Sequence, residues 1–238
     1  MKKLLAVLLS AVMVLGVSAC GSSSSSEEPA EETKQTEGTA EGIDVSDIKI
    51  GCIFIGDENE GYTYAHMKSV KDMQETLGIS DEQIIYKYNT PEDEACYDAA
   101  VDLAEQGCDI IFANSFGFED FILQAAEEYP EIQFCHATGY KAASSGLANV
   151  HNFFANIYEA RYVAGVVAGM KLAELYGADT DAKIGYVGAY SYAEVKSGYT
   201  AFFLGVRSIC PNVTMEVKYT GSWANQALEK ETAEALIA

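Results

Sequence analysis

From residue 46 onward the chain alternates short apolar runs with longer segments of helical spacing, and that alternation restricts the fold more than any other feature. The run Ile48-Lys49-Ile50-Gly51-Cys52-Ile53-Phe54-Ile55 is apolar at odd and even positions alike. Strand side chains point alternately to opposite faces, so such a strand has to be buried on both. Burial on both faces belongs to parallel sheets sandwiched between helices. The same reading places strands at 84–88, 109–113, 132–137 and 149–154. Helices are expected over 62–77, 91–106 and 119–129. Gly78 and Gly107 end the first two, Pro91 opens the second where a missing N–H is harmless, and Pro130 stops the third.

A long helix is expected over 158–176, with Val163, Val166, Val167, Met170 and Ala173 lining its packed face. Gly165 and Gly169 have the spacing of a membrane dimer motif. Arg161, Lys171 and Glu174 bracket too short an apolar stretch to span, so close helix–sheet packing is the better account. The pattern then restarts, with strands at 183–189 and 215–220 and helices at 193–209 and from 226 onward. The expected fold is α/β, with doubly wound parallel sheets in two lobes, 46–155 and 156–238. Two strands are too few for a second sheet covered on both faces, so the second lobe is expected to be incomplete in this chain.

The N-terminus reads as an address. Lys2 and Lys3 precede an apolar run from Leu4 to Val14, followed by Leu15-Gly16-Val17-Ser18-Ala19-Cys20. Small residues before a cleavage point mark residues 1–19 as an export signal. A cysteine directly after them resembles the bacterial lipobox, which makes Cys20 the expected lipidation site. Residues 20–45 are rich in Ser, Glu, Thr, Gly and Ala and cannot bury enough apolar surface to fold. They are expected to form a flexible tether between a lipid anchor in the cell membrane and a domain on its extracytoplasmic face.

The net charge of −21 argues against nucleic acid as a partner. Five cysteines remain beyond Cys20, none at metal-type spacing, and the three histidines are scattered. No metal site and no cofactor is expected. No nucleophile elbow, phosphate loop or dinucleotide fingerprint occurs, so no catalytic residue is expected.

Ligands of open parallel sheets lie beyond the carboxyl ends of the strands. The loops there hold Gly56 through Tyr64, then Asn114-Ser115-Phe116-Gly117-Phe118, then Thr138-Gly139-Tyr140. In the second lobe they hold Tyr190-Ser191-Tyr192 and Gly221-Ser222-Trp223, with the chain's only tryptophan. Large aromatics recurring at one edge of both sheets suit a flat, largely apolar ligand.

These stretches resemble the basic membrane protein family of ABC-transporter solute-binding lipoproteins. The likeness rests on Gly61 to His66, Ala113 to Phe118, His136 to Lys141, Asn152 to Met170, Ile184 to Val187 and Gly221 to Trp223. Tyr62 stands where relatives often carry tryptophan, and Ala224-Asn225 replaces an aromatic–acidic pair. The resemblance implies a two-lobed type I periplasmic-binding-protein fold and a monomer that hands its ligand to an ABC permease. It implies a purine nucleoside or nucleobase as ligand, held by Gly56, Tyr62, Ser115, Phe116, Phe118, Tyr190, Glu194 and Trp223. Other classes open to such a chain are a sensor feeding a membrane kinase and a nucleoside hydrolase.

The anchor has a direct check. One acyl chain holds weakly and several hold stably, so a Cys20→Ser variant is expected in the medium or periplasm. Fractionation that finds the variant as membrane-bound as its parent would exclude Cys20 as the anchor.

Overall fold

The computed structural model describes residues 42–238. The export signal, Cys20 and all but the last few residues of the tether lie outside the described residues.

Five parallel strands form the first sheet: β1 (Ile50–Ile53), β2 (Ile84–Lys87), β3 (Ile110–Ala113), β4 (Gln133–Ala137) and β5 (Val150–Phe153). Their order is β2-β1-β3-β4-β5. The alternation in β1 is realised residue by residue. Ile50, Cys52 and Phe54 join the cluster with Met67, Val70 and Met73 of α1 (Gly61–Leu77). Ile53 faces the other way, into the cluster of Leu103 from α2 (Glu94–Glu105) and Ile122 from α3 (Glu119–Glu128). Gly51 shares that second face, where a Cβ would stand 2.8 Å from Leu103 Cδ1. The first lobe is therefore doubly wound, as its sequence requires.

Helix α1 opens on Glu60, whose carboxylate accepts the amides of Tyr62 and Thr63 at 2.7 Å each. It closes on Gly78 in the left-handed region, φ 73°. Helix α2 starts three residues later than Pro91 suggests. Asp93 takes the capping position, accepting from the Ala95 amide at 3.0 Å, and this leaves Thr90-Pro91-Glu92 in the preceding loop. A short helix, α4 (Ala142–Ser145), precedes β5 and has no counterpart in the sequence reading.

Beyond Phe153 the chain enters the second lobe through α5 (Ile157–Tyr176), followed by β6 (Lys183–Gly188), α6 (Ala193–Ile209), β7 (Thr214–Tyr219) and α7 (Gln226–Ile237). Strands β6 and β7 pair in parallel from Lys183↔Thr214 to Gly188↔Tyr219. The packed face of α5 differs from the expected one. Val163, Val167 and Met170 are 60%, 61% and 59% exposed, while Gly165 and Gly169 are buried. The reason is the crossing with α6. A Cβ on Gly165 would lie 2.0 Å from the Phe202 carbonyl oxygen, and one on Gly205 would lie 2.2 Å from that of Tyr162. The glycines serve helix–helix contact, not helix–sheet contact. They bring the two backbones together, and this contact turns the valine stripe outward. The five cysteines among the described residues are free and help fill the interior, with burial pushing the Cys52 thiol up to about 12.

Gly165→Ala gains about 1 kcal/mol of helix propensity but forces backbone apart, at about 1–3 kcal/mol. A net loss of stability is expected by urea unfolding. Gly198→Ala in α6 is the control, since its Cβ would meet only the Arg161 side chain, Cγ at 3.8 Å and Nε at 4.0 Å, and it is expected to be neutral or stabilising. Equal effects at both sites would rule out the close crossing.

Candidate functional site

The C-terminal ends of β1, β3 and β4 come out at one edge because the strands are parallel and adjacent. The loop after β3 makes a short turn at Phe116–Phe118. Ser115 ahead of it is buried, its hydroxyl donating to Glu92 Oε1, and the Gly117 amide donates to the same oxygen at 2.7 Å. Phe116 points away from the sheet and stacks on Tyr192 of the second lobe, with centroids 4.9 Å apart and planes 26° apart. Tyr192 stacks in turn on Tyr190 at 5.1 Å. Tyr190 meets Trp223 edge-on at 4.8 Å. Trp223 stands 6.4 Å from Phe116, and its indole N–H donates to both oxygens of Glu92 at 3.2 Å.

A second group sits beside these rings. Tyr62 donates its hydroxyl to the Asn114 carbonyl at 2.6 Å and meets His66 edge-on at 4.6 Å. Burial raises the Tyr62 phenol above its ordinary value, and the carboxylates of Glu194 and Glu60 push the same way. Glu194 is half-buried, and this raises its carboxyl group, with Arg161 opposing the shift.

Of the residues expected from sequence, Ser115, Phe116, Tyr190 and Trp223 converge, and Tyr62 is held next to them by its bond to the Asn114 carbonyl. Two stand elsewhere. Phe118 is wholly buried among Ile53, Leu103 and Ile122, because the turn sends alternate rings to opposite sides. Gly56 packs on the α1 cap, where a Cβ would lie 3.2 Å from Glu60 Cβ and Thr63 Oγ1. Sequence reasoning misses Glu92, and it names Tyr192 among the strand-end aromatics without singling it out as a site residue. Both lie within reach of the strand-end rule: Tyr192 is in a loop that the rule selects, and Glu92 follows β2 but is masked by Pro91, which signals a helix start one residue before it.

Beneath the turn lies a polar layer. His136 is fully buried, and its Nε2 donates to the Ser115 carbonyl at 2.6 Å. Glu119, 4% exposed, accepts the amides of Tyr140 and Lys141 at 2.7 Å and Asn152 Nδ2 at 3.2 Å. The layer ties the loop after β4 to the turn after β3. Among the described residues no group of three or more His, Cys, Asp or Glu side chains is placed to hold a metal ion, and no helix is long and apolar enough to cross a membrane. What the site offers is ring faces and hydrogen-bonding groups, the equipment for holding a ligand.

Two parallel α/β lobes with ring-bearing loops facing each other are the build of a two-lobed periplasmic-binding-protein fold. An ABC transporter solute-binding protein from Aeropyrum pernix K1 superposes with a TM-score of 0.64 at 19% identity, over 80% of this chain and 52% of that one. The chain belongs to the family described as ABC transporter substrate-binding protein PnrA-like (Bmp), whose profile matches residues 49–238. The family is one of substrate-binding proteins, not of enzymes. A purine-binding protein of Brucella abortus is 34% identical over 191 residues, 80% of this chain and 51% of that protein. A putative ABC transporter glucose-binding protein of Haloferax volcanii is 28% identical over 223 residues, 87% of this chain and 54% of that one. The chain thus spans about half the length of the curated relatives it matches.

Burial holds the His136 imidazole below its ordinary 6.5, against the pull of its bond to Ser115 and of the Glu119, Glu92 and Asp120 carboxylates. The folded form therefore binds fewer protons than the unfolded chain below that value. Its stabilising effect is complete above about pH 6.5 and lost as pH falls. The melting temperature is expected to drop from pH 7.5 to 5, and to drop less in His136→Gln. Parallel drops in parent and variant would show that this ring is not the cause.

Proposed function

We propose that this protein captures a purine nucleoside or nucleobase between its two lobes and delivers it to an ABC permease. The observation that carries this reading is the convergence of Phe116 from one lobe with Tyr190, Tyr192 and Trp223 from the other, beside a carboxylate that accepts only from neutral donors. Stacked rings favour a flat heterocycle, at about 1–3 kcal/mol per base. Glu194 or Ser115 would accept or donate at the polar edge of the base. The name of the Brucella relative supports a purine over other flat ligands.

On this reading residues 1–19 export the chain and Cys20 anchors it by lipid, with the tether reaching to residue 45. The lobes meet near residue 155, where a short connection lets them move as bodies. The permease would recognise the closed form. The protein works as a monomer with no cofactor, and a sensor role would use the same closure with a kinase as the listener. A permease gene beside this one would favour the importer.

Titration calorimetry of the full-length protein and its Trp223 variant with adenosine, guanosine, inosine, adenine and hypoxanthine, against glucose, ribose and amino acids, tests the ligand class. Purine binding in the absence of sugar binding is expected. Trp223→Ala is expected to weaken it about ten- to a hundred-fold by removing one ring wall. Sugar binding without purine binding would sink the class, and unchanged purine affinity in the variant would sink the aromatic grip.

A further inference from the structure

Glu92 joins three loops with one side chain. Its own loop follows β2 and is tied to the first strand by the Asn89 amide on the Gly56 carbonyl at 3.2 Å and the Thr90 amide on the Phe54 carbonyl at 3.0 Å. Its carboxylate accepts from Ser115 and Gly117 after β3 and from Trp223 after β7. Room has been made for it: a Cβ on Gly117 would stand 2.6 Å from Glu92 Cδ. None of its hydrogen-bond donors is basic, so its charge is met by dipoles, which makes each bond charge-assisted. Among the described residues the Trp223–Glu92 bond is the only side-chain hydrogen bond or ion pair that crosses between the lobes.

We infer that Glu92 is the latch between the lobes, a positioning residue that fixes the plane of Trp223 and limits how far Phe116 and the second-lobe rings can part. The consequence for ligand affinity rests on the purine-capture reading, while the latch itself does not. Ring contact alone leaves a tryptophan free to slide or turn over its neighbours. A bifurcated bond from its one N–H to the two carboxylate oxygens sets both its depth and its tilt. The Ser115 and Gly117 bonds hold the carboxylate in place before Trp223 arrives, so the acceptor is preorganised and the indole is the moving partner.

Glu92→Gln keeps the shape of the side chain and separates these roles. Every partner of the carboxylate is a donor, so an amide must turn its own N–H₂ toward one of them. With its oxygen left at Ser115 and Gly117, the amide nitrogen opposes the indole, and Trp223 is released while the turn stays held. Trp223 is the chain's only tryptophan, so its fluorescence reads the latch without added ligand. In Glu92→Gln the emission is expected to move to longer wavelength and to be quenched more steeply by acrylamide, with far-UV circular dichroism unchanged.

Trp223→Phe provides the second arm, keeping a ring without the donor and leaving the turn after β3 untouched. Adenosine, guanosine and inosine are the probes. Each single variant is expected to lose affinity about ten-fold, the worth of one charge-assisted bond. The double variant is expected to bind no worse than the weaker single, because both changes remove the same bond. Unchanged emission and quenching in Glu92→Gln would overturn the latch, as would losses that multiply in the double variant. Failure of the full-length parent to bind any of these purines would count against the capture reading alone, with the emission of Glu92→Gln still deciding the latch.

Discussion

The burial of β1 on both of its faces is the constraint from which the rest follows. A strand with Ile50, Cys52 and Phe54 on one side and Gly51 and Ile53 on the other has no face to give to water. Each large apolar side chain contributes at most about 1.5–3 kcal/mol by leaving water, and that gain requires helices on both sides. Helices on both sides require crossover connections, and crossovers make neighbouring strands parallel. Parallel strands then deliver their following loops to a single edge. The place where Phe116 and Tyr140 can stand together, centroids 6.4 Å apart, is thus set by residues in the middle of the sheet.

An acidic protein has to keep those loops in order without many cations, and it does so with carboxylates aimed at backbone amides. Glu60 accepts two amides at the start of α1, Glu119 accepts two after β4, and Glu92 accepts the Gly117 amide after β3. A buried charge is costly unless hydrogen-bonded, and several N–H groups per carboxylate offset that cost. Each of these side chains fixes a backbone segment that has no regular partner of its own. The loops that carry the aromatic rings are for that reason held by the sheet they leave, and the rings are presented at set positions.

The strands, helices and ring-bearing loops could be read from sequence because each follows from local spacing. Ile48 to Ile55 is unambiguous at period two, and Phe116, Tyr190 and Trp223 follow from the strand-end rule. What could not be read depends on contacts between distant segments. Gly165 faces α6 instead of a sheet because Gly205, forty residues away, presents a bare surface for it. A periodicity argument on α5 alone points to Val163 and Val167. Phe116 and Phe118 are indistinguishable by composition, and only the direction of the turn sends one to the core and one to the cleft. Glu92 was hidden by a competition between two valid signals, a proline that can begin a helix and an aspartate two residues later that caps it better.

The geometry of the rings also bears on why two lobes are needed. Phe116 and Tyr192 lie 4.9 Å apart, and a third ring between them needs roughly 7 Å from outer ring to outer ring. A base can enter that stack only by moving one lobe relative to the other. A ligand shifts such an equilibrium only through a difference in affinity between the arrangements. A molecule that touches one lobe alone contacts the same atoms in every arrangement and shifts nothing. One that stacks on Phe116 from below and on Tyr192 from above interacts fully in only one. Ring contacts divided between the lobes therefore make occupancy and lobe position a single coupled quantity, something a partner reading shape could detect.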